Sequence, residues 1–89
     1  MSTEAERRRF AELLQEVASG RRTSQQALSQ ARAWAGETPW ADKILLDAYH
    51  FLMHFHDDAD IRAGNQKYAD GQVEGLIVWA ERLKRASNR

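Results

Sequence analysis

Four stretches of the chain carry apolar residues at intervals of three and four, and three polar breaks separate them. In the first stretch Phe10, Leu13, Leu14 and Val17 fall on one stripe, which predicts a helix over residues 4–18. Thr3 followed by Glu6 reads as its capping box, and Gly20 stands where a helix end needs a residue at positive φ. The second stretch, Ala27, Leu28, Ala31, Trp34 and Ala35, predicts a helix over 24–35. Thr23 and Gln26 form a second capping box there, and Gly36 is the stop. The third predicted helix runs over 39–56, with Thr38 as N-cap and Pro39 in the first turn, where a missing N–H costs nothing. Its apolar arc is wide: Ala41, Ile44, Leu45, Ala48, Phe51, Leu52 and Phe55 at the centre, Leu46, Tyr49 and Met53 to one side. Only Lys43, Asp47, His50, His54 and Asp57 remain as a polar strip, so this helix is expected to be contacted from several sides. The fourth helix is predicted over 69–86 from Val73, Leu76, Ile77, Ala80 and Leu83, with Trp79 alongside. Gly71 and Gly75 each cost about 1 kcal/mol in a helix interior, so they imply close packing or a frayed start. Residues 57–66 are expected to be a loop. With short connections and no alternating apolar runs, the expected fold is all-α, an antiparallel up-down four-helix bundle with a short second helix.

Composition narrows the class. The 89 residues make one domain, and 43 % apolar residues suffice for a core, unlike the profile of a disordered chain. There is no cysteine, which removes disulfides, thiol catalysis and cysteine-based zinc sites. No apolar run reaches the ~18 residues of a membrane span, and Met1 to Arg9 is too polar for a secretory signal, so the expected location is the cytoplasm. Net charge is zero but uneven. Residues 1–36 hold six Arg against four Glu, residues 37–81 nine acids against three bases, and residues 82–89 four bases and no acid. An acidic middle disfavours direct nucleic-acid binding and suits a basic partner.

Candidate chemistry is sparse. His50 and His54, one turn apart, with Asp57 or Asp58 beyond, share a helix face that could hold a metal, or could simply pair Asp with His in solvent. The run Asp57-Asp58-Ala59-Asp60 fails the calcium-loop frame: from Asp58 the sixth position is Ala63 rather than Gly and the twelfth is Ala69 rather than Glu. Asp57 and Asp58 lie at the helix end where the dipole disfavours negative charge, which suggests a function or compensation by Arg62. Three consecutive arginines, Arg7 to Arg9, point three ways and form no single patch. Trp40 and Tyr49 sit at the edges of the wide arc and are candidate exposed anchors. No nucleophile triad, phosphate loop or nucleotide motif is present, so no enzyme activity and no cofactor are expected.

The segment Phe55-His56-Asp57-Asp58-Ala59-Asp60-Ile61-Arg62, then Tyr68 and a closing amphipathic helix, resembles the bacterial self-protective colicin-like immunity family, the family of the colicin D immunity protein. The resemblance covers most of the chain in layout and is specific over residues 55–62. It implies a helical bundle that binds and neutralises a toxin domain, a nuclease with a basic cleft, through acids that stand in for RNA phosphates. Asp58 and Asp60 are the matching acids, followed by Arg62. The expected partner-binding set is therefore Asp57, Asp58, Asp60 and Arg62, with His54, His56, Trp40 and Tyr49 around them, in a monomer or weak dimer. The alternatives are a helical regulator or adaptor that oligomerises through the third helix, or a metal-binding helical protein.

Overall fold

The computed structural model describes residues 3–35 and 42–87. They form five helices and, among the described residues, no strand: α1 (Thr3–Ala18), α2 (Ser24–Ala35), α3 (Lys43–Asp57), α4 (Ala59–Gly64) and α5 (Gln66–Ser87). The chain is all-α, as the pattern predicts. The count exceeds the expected four because residues 59–64, read as loop, make a short helix.

The α1–α2 connection follows from local chemistry. Gly20 adopts φ 80°. The Arg21 N–H reaches the Glu16 carbonyl at 2.9 Å and the Gly20 N–H the Val17 carbonyl at 3.1 Å, the paired bonds of a Schellman ending. Three residues on, the Thr23 hydroxyl accepts from the Gln26 N–H and the Gln26 side chain accepts from the Thr23 N–H, both at 3.1 Å. That reciprocal pair is the predicted capping box.

Two boundaries move. Asp42 is extended, φ −76° and ψ 114°, so α3 begins at Lys43 and not at residue 39. The expected stop Gly36, the cap Thr38-Pro39 and the anchor Trp40 lie outside the described residues. The Asp42 carboxylate is engaged chiefly by Arg7 rather than as a helix cap. Arg7 grips it with two bonds, 2.8 and 2.9 Å, and gives a third, 2.9 Å, to the Ala86 carbonyl. One guanidinium thus joins α1 to the start of α3 and the end of α5. The bond to Arg7 lowers the Asp42 pKa, and the bond to Asp42 raises that of Arg7. Helix α5 starts at Gln66, three residues earlier than expected, because the Asn65 side chain accepts from the Tyr68 N–H at 3.0 Å and so caps it.

The core draws on the predicted stripes: Phe10, Leu13, Leu14 and Val17 from α1, Ala27, Leu28 and Ala31 from α2, Leu45, Ala48, Leu52 and Phe55 from α3, Leu76, Ala80 and Leu83 from α5. Helix α3 packs against all four other helices, which accounts for its wide apolar arc. Gly75 lets α5 approach it closely: a Cβ there would collide with the Phe51 ring. Ile77 departs from the expectation. Placed in the α5 core stripe by spacing, it is 43 % exposed. At 100° per residue it lies on the stripe's edge, and among the described residues no helix covers that side.

Candidate functional site

The end of α3 and the start of α4 carry most of the predicted site, and the structure splits it into two groups. Asp57, Asp60 and His54 are exposed. Asp58 is half-buried and engaged: its Oδ2 accepts from the Tyr68 hydroxyl at 2.7 Å and from the Gln72 amide at 2.9 Å. The Tyr68 bond, joined by Gln72 and the nearby charges of His54 and Arg62, lowers the Asp58 pKa. The same bond raises the Tyr68 pKa, since losing that proton would set two anions side by side.

Arg62, the expected partner of the acids, makes no ion pair with them among the described residues. It folds back over the Phe55 ring, 3.6 Å from the centroid, and donates to the Phe55 carbonyl and to Gln72 Oε1, the latter at 2.7 Å. Burial lowers its pKa. Gln72 therefore gives its amide hydrogen to Asp58 and its oxygen to Arg62, and one side chain of α5 fixes both the break before α4 and the middle of α4. Asp58 also sits just ahead of α4, where the dipole favours negative charge, so its cost at the end of α3 is offset.

The remaining predicted residues lie apart. His56 is half-buried, its Nδ1 2.8 Å from the Ser24 hydroxyl, and ties α3 to α2. Tyr49 is half-buried, its hydroxyl accepting from Arg32 at 3.0 Å. Trp40 lies outside the described residues. His50 and His54 are exposed, and among the described residues no three His, Asp or Glu side chains are placed to hold a metal ion, so the metal alternative has no geometric support. Three arginines of the first half serve the fold: Arg7 clamps Asp42, Arg9 lies 4.5 Å over Trp34, and Arg22 pairs with Glu16 at 2.7 Å. A cleft of 120 Å³ beside Trp34, between α1 and α2, is smaller than the ~300 Å³ at which small-molecule pockets begin.

Sequence reasoning missed an exposed apolar surface. The exposed large apolar residues among the described ones are Ile61, Tyr68, Ile77 and Val78, on α4 and α5 rather than α3. Ile61, 52 % exposed, projects from α4 between Asp60 and the turned-in Arg62. The acidic surface thus has an apolar element that the reading of α3 did not supply. No helix among the described residues is long and apolar enough to cross a membrane. No protein-family model matches this sequence, and neither the curated proteins nor the solved structures include one that matches it.

Proposed function

We propose that the chain is a binding protein of the toxin-immunity kind. It sets the acidic α3–α4 end against the basic cleft of a toxin domain, a nuclease by class, and blocks it without catalysis of its own. The observation that carries this reading is the outward placement of Asp57 and Asp60 beside the exposed Ile61, while the nearest cation, Arg62, is turned onto Phe55. Residues 57–74 hold five carboxylates against two bases, and one of those bases is Arg62. Such a surface attracts a Lys/Arg-lined cleft and raises the association rate at low salt. The likeness of residues 55–62 to the colicin-like immunity family supports the same reading. In this reading α4 elaborates the connection of an antiparallel up-down bundle of the four longer helices, and the protein acts in the cytoplasm and contacts no nucleic acid directly.

The structure changes which acids test the proposal. A change at Asp58 also unties Tyr68 and Gln72, so a loss of binding there would report a disturbed fold. The test is capture of the product of the adjacent gene by the wild-type chain and by Asp57→Lys/Asp60→Lys. Binding by the wild type and its loss in the double variant, with helix content unchanged, are expected. Undiminished capture by the double variant would overturn the acidic-surface reading.

A further inference from the structure

We propose that the outer face of α5 pairs with the same face of a second copy of this chain, the two helices running antiparallel about a two-fold axis near Val78. At the middle of α5, Ile77 and Val78 are 43 % and 40 % exposed. Toward the helix start the same face carries exposed Asp70 and Glu74, and toward its end exposed Arg82 and Arg85. At 100° per residue Asp70, Glu74, Ile77, Val78, Glu81 and Arg85 fall within an arc of about 100°, with Arg82 at its edge.

The distribution of sign selects the occupant. A uniformly basic or uniformly acidic partner meets like charge on one half of this face. A second copy in antiparallel order meets opposite charge on both halves, because a two-fold axis turns the acidic half of each helix onto the basic half of the other. With the axis at Val78, Glu74 and Arg82 stand four residues to either side, about 6 Å along the helix at 1.5 Å per residue, so each Glu74 comes level with Arg82 of the other copy. Parallel pairing would set like on like. Two residues run against the pattern, Lys67 and Glu81; Glu81 has a same-helix partner in Arg85 at 3.8 Å. Arg82 lies over Trp79, 4.9 Å from the ring centroid, which keeps it at the rim of the face.

A single pair of helices with two apolar residues per copy is a small contact, so the association belongs to the weak, concentration-dependent class. At 100° per residue Tyr68 and Gln72, which hold the α3–α4 end, fall on the opposite side of α5 from this face. The pairing therefore uses a different surface from Asp57 and Asp60, and it stands or falls separately from the toxin-binding reading.

Sedimentation velocity at low salt, from about 10 µM to about 1 mM protein, tests the pairing. The wild type is expected to shift toward a dimer with concentration and to shift back at high salt. Glu74→Arg alone and Arg82→Glu alone each set like charges against each other and weaken self-association about tenfold or more. An equimolar mixture of the two variants faces opposite charges at both contacts and is expected to dimerise again. Circular dichroism on each variant establishes that the fold is kept. A wild type that stays monomeric throughout, a dimer indifferent to either substitution, or a mixture that fails to re-form it would each overturn the proposal.

Discussion

At the α1–α2 turn the bonds that shape the chain span at most six residues: Gly20 and Arg21 onto the carbonyls of Val17 and Glu16, Thr23 with Gln26, Arg22 with Glu16. At the α3–α4–α5 junction the side-chain bonds that tie one helix to another span seven to fourteen: Arg62 to Phe55, Tyr68 and Arg62 across ten residues to Asp58 and Gln72, and Gln72 to Asp58. The turn is shaped by its own residues whatever packs around it. The junction takes shape only when α5 folds back against α3, so α4 depends on tertiary contacts. Helix α4, which carries Asp60 and Ile61, has no buried residue of its own and is held by side-chain bonds from its neighbours.

Substitutions can break this contrast, and the largest effect belongs to the junction. Phe55→Ala removes both a core ring, 8 % exposed, and the surface on which Arg62 lies. A loss of about 3–5 kcal/mol in urea unfolding is expected. Gly20→Ala in the turn should cost about 1–2 kcal/mol, since a Cβ there meets open space and the expense is the left-handed backbone alone. Its effect is global: amide exchange in α4 should accelerate no more than elsewhere. Gln72→Ala should cost about 1 kcal/mol but concentrate its effect, speeding exchange in α4 while leaving the α1–α2 turn as it was. Equal acceleration in both regions would erase the distinction between them.

The turn and the core stripes are legible in the sequence because their signals are local. Thr23 with Gln26 and Gly20 after Ala18 announce themselves within a few positions, and Phe10, Leu14, Leu45, Leu52, Leu76 and Leu83 follow helical period into the core. Ile77 misleads because spacing places it near a stripe without showing which side of α5 is left uncovered. The short helix α4 is hidden because residues 59–64 contain one large apolar residue, Ile61, and it faces solvent. Asn65 carries a capping signal, but beside Gly64 it reads as loop. The pairing of Asp58 with Tyr68 and Gln72, like that of Arg7 with Asp42, is set by how helices return against one another, which periodicity does not encode. The acidic run is visible in the sequence; which of its members is used internally is not.

The ionisation of Asp58 distinguishes the internally used acid from the outward ones. Because its folded pKa is lowered, its contribution to stability is complete above the ordinary aspartate range, about pH 4, and is lost as pH falls through the lowered value. The raised Tyr68 pKa works at the other end: its contribution is complete below about pH 10 and is lost as pH rises through the raised value. The decisive measurement is an NMR titration of the Asp58 carboxyl carbon in the wild type and in Tyr68→Phe. Asp58 is expected to titrate below the ordinary aspartate range in the wild type and to move back toward it when the tyrosine hydroxyl is removed. An Asp58 that titrates as an ordinary aspartate and ignores the substitution would mean that it is not held by the junction.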